Sequence, residues 1–205
     1  MKLRDELFGP SKADVWQQLA KELNGKYCES NYAQPTRVEV KYKMWTIVLD
    51  TNLWGSVPRP ALFSEVTRLR APFKNKDNFQ MVISSKGFLS SLFGLKEVEI
   101  GLPEFEDKFI INGNDTKKLK LLFSNPKISE PLLKSKNIHF EIRDQEGQFL
   151  GTQLPDGVNE LFFKVEDIII DIEQLKIWFE LFSEVLNQLC HMDSAYEDDP
   201  NIILK

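Results

Sequence analysis

The chain has 205 residues, 42% hydrophobic and 28% charged, with 15 phenylalanines. That is enough apolar material for a sizeable core, and it excludes a disordered or low-complexity protein. Against 31 Asp and Glu stand 26 Lys and Arg, a net charge of -5 that gives no global attraction for nucleic acid or anionic lipid.

In chain order, the first helix is expected to begin at Ser11. Its hydroxyl can accept from the free N–H groups of the first turn, and Asp14 follows as an acidic first-turn residue. Val15, Trp16, Leu19 and Leu23 share one helical face, and Gly25 supplies a left-handed stop. The period then changes to two. Val38, Val40 and Tyr42 alternate with Glu39, Lys41 and Lys43. Met44 to Leu49 is apolar at nearly every position and reads as a strand covered on both sides, with Asp50 and Asn52 ending it before a loop at Gly55 to Pro60. Strands around Val66 to Ala71 and Asn78 to Ser84 continue an antiparallel meander.

Beyond Gly87, Phe88 to Leu95 reads as a short helical stretch, and Val98 with Ile100 as a brief strand. Pro103 to Glu106 reads as a turn before a strand over Lys108 to Ile111. Asp115 caps a helix over Thr116 to Phe123, and Asn125-Pro126 opens another whose regularity Pro131 limits. Ile138, Phe140 and Ile142 alternate with His139, Glu141 and Arg143. Asp144 to Gly147 turns the chain, Gln148 to Thr152 returns, and Leu161, Phe163 and Val165 form a last strand. The final helix opens on Asp171 and Gln174, which have capping-box spacing. Along it Ile172, Leu175, Phe179, Phe182, Leu186 and Leu189 recur at three and four, while Ile177, Trp178, Leu181 and Val185 widen the apolar surface. Such a helix is buried on more than one side, either within its own fold or between two copies. The expectation is a single α+β domain over residues 1–205, with an acidic tail at 193–205. Its sheet should be mostly antiparallel and curved, with an N-terminal helix, two short internal helices and the long C-terminal helix packed on it.

Most reactive motifs are missing. There is no dinucleotide or phosphate-cradling glycine loop, no nucleophile elbow and no zinc-protease helix motif, so no cofactor is expected. Two His and two Cys in total fall short of a convincing zinc set, and no metal is expected. Cys28 and Cys190 read as buried thiols of a reducing compartment. No apolar run approaches the roughly 20 residues that cross a bilayer. The charged N-terminus does not read as a signal peptide, which makes the cytoplasm the expected location. His139 reads as solvated and His191 as a helix-terminal cation. Glu104, Glu106 and Asp107 read as a surface turn.

Positive charge gathers at Arg68, Arg70, Lys74 and Lys76, and again at Lys117, Lys118 and Lys120. The two arginines share a strand face. They can hold a carboxylate or phosphate together, against the alternative of an ordinary solvated face. The tail from Asp193 to Pro200 carries four acids and no base, as a solvated segment or a clamp onto the basic patch.

Several stretches also look alike to a known pattern: Thr67-Arg68-Leu69-Arg70-Ala71-Pro72-Phe73, Val98-Glu99-Ile100-Gly101 with Phe105 to Asp115, Gly157-Val158-Asn159-Glu160-Leu161-Phe162-Phe163, and Leu181 to Pro200. In that order they resemble an uncharacterised, mostly bacterial family of soluble proteins, over roughly Val38 to Pro200. The family prefers Asp-Pro-x-Phe-Asp where this chain has Leu102-Pro103-Glu104-Phe105-Glu106, which argues against an essential acidic role there. The resemblance implies a single soluble domain and no assigned activity.

Two functions follow as expectations. The first is a non-enzymatic protein-interaction or self-association domain, with an unknown protein partner or a second copy meeting Ile177, Trp178, Leu181 and Val185. The second is a small-ligand or anion-binding domain, conceivably an enzyme, using a concave sheet face with Arg68 and Arg70. Membrane and nucleic acid are not expected partners.

Overall fold

The computed structural model describes residues 10–30, 35–54, 64–86, 97–144 and 154–204. The loop at 55–60, the helical stretch at 88–95 and the returning strand at 148–152 lie outside them. Helix α1 (Lys12–Glu22) leads into strands β1 (Lys26–Cys28), β2 (Arg37–Tyr42), β3 (Trp45–Trp54), β4 (Ser64–Asn75) and β5 (Met81–Ser85). Next come α2 (Pro103–Lys108), β6 (Phe109–Gly113), α3 (Thr116–Phe123), α4 (Pro126–Lys134), β7 (Ile138–Arg143) and β8 (Val158–Val165), then α5 (Ile172–His191) and the short β9 (Ala195–Tyr196).

The protein is α+β. The strands form one open sheet in the order β1-β2-β3-β4-β8-β7-β5-β6, with β9 beside β4. Every pairing is antiparallel. The two halves of the chain are joined through β8, which lies between β4 and β7. The meander therefore runs from β1 to β4, because β5 pairs with β6 and β7 instead.

Local signals set the helix ends. Ser11 and Asp14 form a complete capping box at α1. Asp115, Asn125 and Asp171 cap α3, α4 and α5 through their side chains. The expected left-handed stop at Gly25 falls one residue earlier, on Asn24, with φ 50. Gly25 is needed for space: a Cβ there would stand 2.7 Å from the Glu39 carbonyl oxygen and 2.8 Å from Val40 Cγ2. Gly25→Ala is expected to cost about 1–3 kcal/mol through that overlap, read as a lowered urea midpoint; an unchanged midpoint would mean that α1 can lift off β2 freely.

The segment Pro103 to Glu106, expected as a turn, begins helix α2, so the described residues hold three internal helices rather than two. Glu106 explains the geometry, since Oε1 accepts from the Ile100 and Gly101 N–H groups at 2.6 and 2.7 Å.

The core lies on one face of the sheet. Leu49, Leu69, Phe73, Phe140, Leu161 and Phe163 point from the strands toward Trp16, Leu122, Ile128 and the buried side of α5. That arrangement corrects the reading of α5 as an interface. The helix touches α1, α3, α4, β4 and β9, so neighbours of its own fold account for its wide apolar surface. Trp178, Leu181 and Val185 are core residues, whereas Ile177 is 45% exposed. The Trp178 ring packs edge-on against Phe163 at 5.0 Å.

Candidate functional site

The other face of the sheet holds what the sequence reading missed. Asp50 was taken as a strand end, but it sits within β3, directly opposite Arg68 of β4. Arg68 in turn faces Lys164 of β8, Lys164 faces His139 of β7, and His139 faces Ser84 of β5. Five adjacent strands thus contribute one polar row. Asp50, Ser84 and Lys164 are all 0% exposed and Arg68 is 8%.

Alternation places these residues together. Leu69, Phe163, Phe140 and Ile83 of the same four strands turn into the core, so their polar neighbours turn the other way. The expectation that Arg68 and Arg70 form a solvated face is therefore wrong, as is a solvated His139, which is only half-buried at its rim. A polar strand face is solvated only when nothing covers it.

The charges are arranged as a chain of pairs. Asp50 accepts from Arg68 Nε at 2.7 Å through Oδ1 and from Arg70 Nη2 at 2.6 Å through Oδ2. Arg70 Nη1 lies 3.6 Å from Glu160 Oε1, and Glu160 Oε2 accepts from Arg143 Nε at 2.7 Å. Arg143 Nη1 stands 3.6 Å from Glu141 Oε1, and its Cζ lies over Phe162, 3.7 Å from the ring centre. Glu141 Oε2 is 3.2 Å from His139 Nε2, while Nδ1 is 2.8 Å from Ser84 Oγ. A carboxylate can only accept, so Nε2 carries the proton, and in the neutral ring Nδ1 accepts from the Ser84 hydroxyl.

Burial and pairing shift these groups in different directions. Burial pushes the Glu160 carboxyl up, against the pull of Arg143 and Arg70. For Glu141 burial is outweighed by the His139 hydrogen bond, with Arg143 and Lys164 nearby, and the carboxyl is held below its usual range. Burial brings the Lys164 ammonium down to about 7, although Glu141 and Glu166 favour its charge.

The two arginines singled out from the sequence are thus brought together, but around the protein's own Asp50. They are deep, and Asp50 and Glu160 offset part of their charge. The half-open part of the face lies at β7, where His139, Glu141 and Arg143 keep partial exposure beside Lys164. Ser84, His139 and Glu141 have the residue types of a nucleophilic relay. Ser84 is the penultimate residue of β5, paired between β6 and β7.

Among the described residues, no group of three or more His, Cys, Asp or Glu side chains is placed to hold a metal ion. Cys28 and Cys190 are both free and only partly buried. No described helix is long and apolar enough to cross a membrane.

Fold and site together define an α+β domain with helices on one sheet face and a buried ionic row on the other. No family model matches the chain, and no curated protein matches it. Among solved structures, it is similar to the crystal structure of the mycobacterial trehalose monomycolate transport factor A, TtfA, with a TM-score of 0.48 and 10% identity over 86% of this chain and 95% of that chain.

Proposed function

We propose that this protein is a binding domain for a small anionic ligand, held at the half-open end of the polar row by Lys164, His139 and Arg143 around Phe162. One observation carries the reading: the cations Arg68 and Lys164 stand directly opposite each other on adjacent strands, with His139 next in the row opposite Lys164. Like charges in such positions destabilise a sheet. An anion between them would relieve that conflict and favour the charged form of Lys164. Arg68 and Arg70, the pair expected to bind, become the support of the site, because each already donates to Asp50. The alternative of self-association through α5 loses its basis, since Trp178, Leu181 and Val185 belong to the core.

The test is a thermal-shift series with inorganic phosphate, small dicarboxylates and nucleotides, each compared with sodium chloride at equal ionic strength. At least one anion should raise the melting temperature, by roughly 2–4 °C for each kcal/mol of binding linkage. Lys164→Met should abolish the rise while remaining folded. If no anion outperforms chloride, the reading is lost. Replacing Arg68 and Arg70 would not be a clean test, because it would strand Asp50.

A further inference from the structure

A second positively charged surface lies away from the polar row, and the protein covers it with its own tail. Beyond Met192 the chain turns through Asp193, with φ 59, and β9 adds to β4 with Lys74 opposite Tyr196 and Asn75 opposite Ala195. Strand β3 pairs with β4 only as far as Arg70, so β9 occupies the flank that β3 leaves. Four acids of the tail then meet four lysines. Asp193 pairs with Lys76, Glu197 with Lys43 at 3.0 Å, Asp198 with Lys74 at 3.5 Å and Asp199 with Lys41 at 3.2 Å. Tyr196 lies under the Lys76 ammonium, 5.3 Å from the ring centre. Of the two expectations for the tail, a solvated segment or a clamp, the described contacts match the clamp, with Lys41 and Lys43 joining Lys74 and Lys76 of the basic patch.

We propose that this lysine strip and the flank of β4 form a docking site for an acidic, extended segment of a partner protein, with the chain's own tail as the resident occupant. The pairs that hold the tail are exposed; Lys74 and Asp198, for example, retain 38% and 63% of their side-chain surface. Each such pair contributes about 0–1 kcal/mol and weakens with salt. Only Ser194, Ala195, Pro200 and Leu204 are buried. The seat thus reads a definite pattern: a small residue in the Ala195 position, consecutive acids as in Glu197-Asp198-Asp199, a proline, and an apolar residue in the Leu204 position. Main-chain pairing with β4 supplies affinity, and the lysines supply selectivity for acid.

The test uses the full chain with its tail charges removed by Asp193→Asn, Glu197→Gln, Asp198→Asn and Asp199→Asn, and a labelled peptide copying residues 194–204. Fluorescence anisotropy should show the peptide binding this variant at least tenfold more tightly than the native chain, with affinity falling steeply as salt rises. An uncharged analogue of the peptide should bind neither. No binding to the variant at low salt, or equal binding of the uncharged analogue, would overturn the proposal. Should the variant fail to fold, the native chain decides: in 0.5 M salt, hydrogen exchange of the β9 amides should run at least tenfold faster than that of β8, and equal rates would mean that the seat never opens.

Discussion

Replacing Asp50 by Ala is expected to cost about 3–5 kcal/mol, the range for breaking a buried ion pair by removing one partner. Asp50 is fully buried between Arg68 and Arg70, which approach it from a neighbouring strand. Without the carboxylate, two guanidinium groups two residues apart on β4 are left facing each other with little water to solvate them. Arg70 keeps a 3.6 Å approach to Glu160, which Arg143 already holds more closely. Against a typical total stability of about 5–15 kcal/mol, such a loss leaves a marginal fold. Urea unfolding should show a large fall in midpoint with an unchanged slope. Asp50→Leu combined with Arg68→Met and Arg70→Met should recover at least half of the loss, because an apolar trio needs no compensation. A single Asp50→Ala variant within 1 kcal/mol of native would mean that the two arginines find water where the structure shows them enclosed.

The same residue shows where sequence reading stops. The caps at Ser11, Asp115, Asn125 and Asp171 were legible because a cap is decided within four residues of chain. The alternation of Ile138, Phe140 and Ile142 was legible for a similar reason, and it placed His139, Glu141 and Arg143 correctly on one face. What alternation cannot tell is whether that face is wet, since a covered ionic face and a solvated one have the same period. Asp50 resembled a strand end because Asp is rare in strands, and its justification lies 18 and 20 residues further on, across a register that only the fold defines. A usable signal did exist. Asp50, the Arg68 and Arg70 pair, the Glu160 and Lys164 pair, and His139 with Glu141 and Arg143 all fall in strong strand patterns with complementary signs. Strand β9 gave no such signal, being two residues long and fixed by lysines more than a hundred residues away.

Lys164 carries the second large effect, and pH reveals it. In the folded protein burial brings its ammonium down to about 7 from 10.5. Between those values the unfolded chain holds more protons than the native one, so stability rises with pH across this window and is lowest below it. Each pKa unit corresponds to about 1.4 kcal/mol. The groups around the ammonium are Arg68 on β4, His139, Glu141 and Arg143 on β7, and Glu166 just after β8, of which Glu141 and Glu166 offset part of the burial cost. Lys164→Met keeps the length and apolar stem of the side chain and removes the charge. The variant should be more stable than native by about 2–4 kcal/mol at pH 7, with the gap closing as pH approaches 10.5. Glu160 acts in the opposite sense, since a carboxyl raised by burial loses stability as pH rises through its folded value, but it is common to both proteins and cancels in the comparison. Urea midpoints taken at intervals from pH 6 to 10.5 give the difference directly. Parallel profiles would place Lys164 at its ordinary value and remove the charge conflict on which anion binding rests. A gap that closes instead when a saturating anion is added at pH 7 would tie that conflict to the ligand that resolves it.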